Sequence, residues 1–305
     1  MMNLSHSENY LTQVYFFQRG DYFLGGDEIQ PQIESNKLRL FFKRRPCRNV
    51  NATECREPAP PHADFPNNWG GYADLIHVDF KGPSEHTING ERFDAEMQVF
   101  HLHPSRRRTP TVSVVIRASR NAYNPIFQSI LDQFQVVFND HGAACLSQLR
   151  RERRRTTVQK VHLMTTAISE DDYDTWADLS TEHDDPAYNE IIARRKLQYS
   201  FTPYHELLMP SLHFFGYEGS ITEPPCSEFV SWFVSDTPMQ IGISQLEQMK
   251  RLLFQHVSST CEKTSVHSGQ SVARPIQDTF GRPVWRCTDS DFVADTDRFI
   301  NDNSV

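Results

Sequence analysis

The chain has 305 residues, 38% of them hydrophobic and 23% charged, which excludes a disordered polymer and leaves room for one large core or two modest ones. Its formal net charge of −8 excludes a general nucleic-acid binder, whose affinity would come from neutralising phosphates. No run approaches the roughly eighteen consecutive apolar residues of a membrane-spanning helix, so no transmembrane segment is expected.

The opening stretch, MMNLSHSENYLTQVYFFQRGDYFLGGDEIQ, lacks a basic segment followed by an apolar core, so no secretory leader is visible in this chain. Residues 1–34 read as an N-terminal extension. Leu38–Phe42, LRLFF, reads as a strand, followed by a polar, proline-rich loop from Arg44 to Asn68. That loop holds Cys47 and Cys55 and, between them, the glycosylation sequon Asn51-Ala52-Thr53, which suits a secreted loop. Ala73–Phe80 and Arg92–His101 read as strands, and so does Thr111–Ala118, which is rich in β-branched residues. From Asn124 to Asn139, Ile126, Phe127, Ile130, Leu131 and Phe134 recur at helical spacing, with Pro125 acceptable in the first turn.

From about residue 140 to 200 the chain turns charged, with the basic run Arg150–Arg155 and the acidic stretch SEDDYDTWADLSTEHDDP. It reads as a surface insertion, partly helix and partly loop. Ser211–Val234 is apolar and strand-like again. Ser244–Phe254 reads as an amphipathic helix, with Ser244 as N-cap and Glu247 completing a capping box. Residues 284–305 form a polar tail that wraps the surface or is loose. Strands dominate without βαβ alternation, which gives a mainly β domain with peripheral helices. None of the cysteines lies in a C-x-x-C pair, which argues against a cysteine zinc site, and a chain of this size does not demand disulfides.

Three segments resemble the alpha-class carbonic anhydrase family. ADLIHVDFKGPSEHTINGERFDAEMQVFH, from Ala73 to His101, is similar to the family's two central strands and the turn between them. FTPYHELLMPSLHFFGYEGSITEPPCSEFVSW, from Phe201 to Trp232, carries nearly every fixed position of the signature Y-x-G-S-L-T-x-P-P-C-x-E-x-V-x-W. Ser244–Leu253 with the later RPIQDTFGRPVW looks like the final helix and the R-P-x-Q segment, and Ser35–Phe42 resembles the N-N-G-H-x-x-x-V strand. The likeness covers about two thirds of the chain. The W-x-Y-x-G-x-x-G-P-x-x-W opening and the S-P-I-N-I segment are absent, and the insertion is not typical. The resemblance implies a single domain over residues 35–283, mainly β (α+β), around a large, twisted, mostly antiparallel central sheet with short peripheral helices.

It also implies a site. In the family, zinc sits on three histidines, and zinc-bound hydroxide attacks carbon dioxide. Two ligands come from one strand at i and i+2, where side chains share a face. The matching positions here are His77, which is retained, and Asp79; the third ligand position is Gln98. Strand parity puts Glu96, Gln98 and Phe100 on one face and His101 and His103 on the other, so recruiting either histidine needs a bulge or a register slip. Thr222 and Glu85 match the gatekeeper pair that orients the zinc hydroxide. Glu96 matches the carboxylate behind the third ligand. Glu223 replaces a small hydroxyl residue and crowds the pocket, which Tyr217 and Trp232 also line. The proton-shuttle position falls at Asn36 or Lys37. Cys226 matches a cysteine that secreted members often pair with an early one, and it is open here to pairing with Cys47 or Cys55 or to remaining a thiol.

The resemblance therefore implies a carbonic-anhydrase-like protein lacking hydration, with a vestigial gatekeeper pair and no cofactor, acting as a binding or scaffold module or as a subunit of an assembly. Its partner is then a protein, met through the insertion. The alternative is an active zinc-dependent lyase with an atypical metal site, for which bicarbonate and carbon dioxide are the ligands. A third reading is a diverged gene product whose site has decayed. The family and the Asn51 sequon together leave a secreted or lumenal location open.

Overall fold

The computed structural model describes residues 3–4, 8–9, 14–17, 22–24, 26, 28–43, 61–65, 73–103, 108–156, 199–211, 213–265, 267, 270–279 and 281–287. The sequon at Asn51, Cys47, Cys55 and the acidic part of the expected insertion lie outside them.

The period-two alternation of the strands sets the architecture. In β1 (Ile29–Glu34) and β2 (Lys37–Phe42), joined as a hairpin, Leu38, Leu40 and Phe42 point to one side and Lys37, Arg39 and Phe41 to the other. β3 (Ala73–Lys81), β4 (Ala95–Leu102) and β5 (Thr109–Ser119) continue the sheet in antiparallel pairs. Beyond β5 come β7 (Val230–Ser235), parallel to it, then β6 (Phe214–Gly219) and β9 (Trp285–Cys287). A short strand, β8 (Met239–Gly242), also pairs in parallel with β5. The central sheet is thus mixed, with 12 strands in the order β1-β2-β3-β4-β5-β7-β6-β9 and shorter strands at its margins. β1 comes from the expected N-terminal extension and β9 from the expected tail, so both add strands to the sheet.

Two helices cover one face. α1 (Pro125–Thr156) buries Phe127, Ile130, Leu131, Phe134 and Phe138. α2 (Ile243–Phe254) buries Leu246, Met249, Leu252 and Leu253. They close over Leu38, Leu40, Val78, Phe80, Met97, Val99, Val114 and Ile116 of the sheet. Each such side chain contributes about 1.5–3 kcal/mol over its exposed state. α1 is longer than the expected helix: its 32 residues run through the first part of the insertion, where Ala143, Ala144, Leu146 and Gln148 are good helix formers. The cap of α2 also differs. Gly242 is the N-cap and its backbone N–H donates to Gln245 Oε1 at 2.9 Å, so the helix is capped from N3 two residues earlier than Ser244 and Glu247 would place it. A disulfide joins Cys145 of α1 to Cys261, while Cys226 is not in a disulfide. Among the described residues no helix is long and apolar enough to cross a membrane.

Candidate functional site

The face of the sheet opposite the helices carries the polar residues, most of them buried. Cross-strand register aligns Arg39, Asp79, Gln98 and Ser113 in one row over four strands. A second row is Phe41, His77, Phe100 and Thr111, and a third contains Lys81 and Glu96. The register shifts between Phe100 and His101: Phe100 faces His77 and His101 faces Leu75, so Ile76 is the extra residue. The shift does not recruit His101 to this face. Its Nε2 lies 2.8 Å from Tyr204 Oη, and its ring stacks on Tyr204 and meets Phe65 edge-on among the core residues.

Arg39 is the centre of the first row. Its Nε donates to Asp79 Oδ1 and its Nη2 to Asp79 Oδ2, both at 2.7 Å. The same Nη2 lies 3.1 Å from His77 Nε2, and His77 Nε2 is 3.5 Å from Asp79 Oδ2. Burial lowers the His77 pKa to about 4, and Arg39 and Lys37 push the same way against Asp79. The ring is therefore neutral at pH 7; Nε2 accepts from Arg39 and the proton sits on Nδ1. Burial pushes the Asp79 carboxyl up, but His77, the Arg39 bonds and Lys37 outweigh it and hold it below its ordinary range. His77 also stacks on Phe100, with ring centroids 4.6 Å apart.

A second cation holds the neighbouring row. Lys81 Nζ donates to Thr222 Oγ1 at 2.7 Å and to Glu85 Oε2 at 3.1 Å, so it bridges the two gatekeeper positions. Burial alone would lower the Lys81 pKa, but Glu85, Asp79 and Glu223 together raise it, and the ammonium persists. Lys37 is also buried, paired with Glu223 and, at 3.2 Å, with Glu34. Three cations and four carboxylates thus interlock around the expected ligand positions His77, Asp79 and Gln98.

Glu96 organises the floor. It accepts from the backbone N–H of Glu85 and His86, from His86 Nδ1, from Gln98 Nε2 and from Ser113 Oγ, all within 2.7–2.8 Å. Burial would raise its pKa, but His86 and the hydrogen bonds depress it to about 2. Gln98 Nε2 also donates to Glu85 Oε2 at 3.0 Å. With two carboxylates drawing the amide nitrogen, Gln98 Oε1 is left buried without a hydrogen-bond partner. His86 Nε2 meets Tyr217 Oη at 2.7 Å, and Trp232 packs edge-on against His86 and Phe100 while donating to Ser220 O.

Residues 187–288 match the family model described as eukaryotic-type carbonic anhydrase. Over that third of its length the chain is similar to the alpha-class carbonic anhydrases. Among its relatives, putative carbonic anhydrase 2 of Lottia gigantea is 25% identical over 67% of this chain and 48% of its own length. Dioscorin dioA3 of Dioscorea japonica is 25% identical over 78% of this chain and 66% of its own. The first of these matches thus spans about half of its relative. Among solved structures, a hyperthermostable carbonic anhydrase from a hydrothermal vent chimney superposes with a TM-score of 0.54 at 15% identity, covering 94% of this chain and 86% of that one. At that identity the likeness speaks to the fold.

An alpha carbonic anhydrase implies zinc, and the donor set here can be tested against it. Zinc of this kind needs three donors converging with lone pairs free and a fourth position open. His77 Nε2 and both Asp79 oxygens are engaged by the Arg39 guanidinium. Gln98 offers one neutral amide oxygen, a poor zinc donor. These residues, as arranged, do not fit the metal: a guanidinium fills the space between the donors. The residues that sequence reasoning missed are Arg39 and Lys81, while Lys37 was named only as a proton-shuttle position and not as a buried cation. Their signal was the alternation Lys37-Leu38-Arg39-Leu40, which puts two cations on the face opposite the core.

Proposed function

We propose that this carbonic-anhydrase-type chain does not hydrate carbon dioxide and serves as a binding or scaffold module. The observation that supports this reading is the Arg39 guanidinium, held by Asp79 and reaching His77 Nε2. A guanidinium supplies the positive charge of a metal but no empty coordination position, so it cannot bind and acidify a water as zinc does. Lys81 acts in the same sense at Thr222, where an ammonium donates to the oxygen that would face a hydroxide. Glu223 stays ionised beside Lys37 and Lys81 and narrows the approach for bicarbonate. The surface suited to a protein partner is the end of α1, where Arg150 and Arg151 are exposed and the charged insertion begins.

The test is zinc content by elemental analysis together with stopped-flow carbon dioxide hydration, on protein purified without chelator. The expected result is less than about a tenth of a zinc per chain and hydration at the buffer rate. One zinc per chain, lost in His77→Ala and accompanied by chelator-sensitive hydration, would establish the active lyase instead. The scaffold role is tested by charge reversal of Arg150 and Arg151 to Glu, which is expected to lower the mass of the assembly that the chain enters on size exclusion. An unchanged mass would remove α1 as the contact surface.

A further inference from the structure

The Cys145–Cys261 disulfide has an imidazole pair beside it that a covalent staple does not need. His141 and Cys145 lie four residues apart on α1, one helical turn, and so share a face. Two ligating side chains at i and i+4 of a helix are a recurrent zinc-chelating arrangement. Opposite them, just past α2, His256 and Cys261 sit on a braced turn. Ser258 N–H donates to Glu262 O at 2.8 Å, Cys261 N–H to Ser258 O at 2.9 Å and Thr264 N–H to His256 O at 3.1 Å. Each helix residue meets its counterpart on the turn. His141 Nδ1 is 3.0 Å from His256 Nε2, and the Cα atoms of Cys145 and Cys261 are 4.9 Å apart.

We propose that reduction of this disulfide converts His141, Cys145, His256 and Cys261 into a tetrahedral Cys2His2 site for a divalent cation of the zinc class. Metal–nitrogen bonds of about 2.0–2.1 Å place two tetrahedral nitrogens roughly 3.3 Å apart, close to the imidazole separation already present. The imidazoles are prepared for the role. His256 Nδ1 lies 2.7 Å from Thr264 Oγ1, which holds the ring with Nε2 toward His141. Burial, with His141 adding, lowers the His256 pKa to about 4, so the ring is neutral at pH 7 and carries the lone pair a metal takes. With the sulfurs bonded to each other, no group of three or more His, Cys, Asp or Glu among the described residues is arranged for a metal. The spacing here is H-x-x-x-C on one element and H-x-x-x-x-C on the other, so it escapes a search for C-x-x-C pairs.

The chemistry balances. A dithiol reductant transfers two electrons to the Cys145–Cys261 bond; it becomes a disulfide and leaves two cysteine thiols. The cation displaces one proton from each thiol. His141 moves its proton from Nδ1 to Nε2, and two thiolates with a divalent cation leave the site uncharged. The site lies on the helix-covered side of the sheet, away from Arg39, so it is independent of the zinc-site reading.

The experiment titrates the full chain with Co2+ alone, under argon, before and after phosphine reduction and gel filtration. The reduced chain is expected to bind one Co2+ with a sulfur-to-cobalt charge-transfer band and tetrahedral visible bands, and the oxidised chain to show neither. His141→Ala and Cys145→Ser are expected to weaken binding about tenfold or more, while His77→Ala keeps it. Three results would overturn the proposal: no sulfur band after reduction, a band that both variants retain, or circular dichroism showing that the reduced chain has lost its fold.

Discussion

Arg39 and Asp79 meet through two parallel contacts of 2.7 Å, and the carboxylate beneath the guanidinium is only 1% exposed. A buried pair of this kind is costly to break from one side, because the remaining charge loses both its partner and its water. Arg39→Met is therefore expected to destabilise the fold by about 3–5 kcal/mol in urea denaturation. Arg39→Met combined with Asp79→Leu, which removes both charges and fills the space, is expected to recover to within about 1 kcal/mol of the parent. A double variant as unstable as the single one would show that the pair is not the unit it appears in the geometry.

The same pair governs metal binding. Restoring imidazoles through Asp79→His and Gln98→His is expected to give little zinc while Arg39 keeps its guanidinium between the donors. Adding Arg39→Ala vacates that space and leaves three imidazoles on two neighbouring strands. Elemental analysis is expected to find about one zinc per chain in the triple variant and a small fraction of that in the double. Equal zinc in both would mean that Arg39 does not block the site.

Much of this was legible in the sequence, and the rest was hidden for a physical reason. Runs such as Thr111–Ala118 announce strands through β-branched residues; parity put His77 and Asp79 on a shared face, and the family resemblance added Gln98 from the next strand. Parity acts within a strand. Arg39 reaches Asp79 across 40 residues of chain, and only the β2–β3 register brings them level. Lys81 meets Thr222 over a separation of 141 in the same way. α1 outran its expected end because the apolar stripe fades after Phe138 while helix-forming residues continue. The partner of Cys145 could not be deduced at all, since cysteine counts do not fix connectivity.

Acid sensitivity follows from the buried imidazoles. Burial lowers His77 and His256 to about 4 and His101 to about 3. Each of these folded-state values is below the unfolded value of about 6.5, so the unfolded chain binds more protons between them. The stability these groups contribute is complete above about pH 6.5 and is lost as pH falls toward 4. Glu96, depressed to about 2, adds a second loss that begins below its unfolded value and runs down toward 2. Urea midpoints are expected to fall steadily from pH 7 to pH 4, and the His77→Phe variant to fall less. A midpoint flat between pH 7 and pH 5 would show that these imidazoles are not held neutral.

Glu96 separates a relic of metal chemistry from a working part of the fold. Its five donors include the backbone N–H groups of Glu85 and His86, so the carboxylate fixes the turn that follows β3 as well as Gln98 and Ser113. Glu96→Gln keeps the volume but removes the charge and turns an N–H group toward other donors. Hydrogen bonds to a charged group contribute about 1.5–3 kcal/mol each, and buried donors left without acceptors cost about 1–3 kcal/mol, so the variant is expected to lose about 3–5 kcal/mol. Gln98→Met offers the contrast. It gives up two hydrogen bonds but also removes the partnerless Oε1, so its expected cost is about 1 kcal/mol. If Glu96 served only to orient a metal ligand, Glu96→Gln would cost no more than Gln98→Met. A gap of several-fold between the two in urea denaturation would mean that the carboxylate is kept because the sheet and its turn are built around its charge.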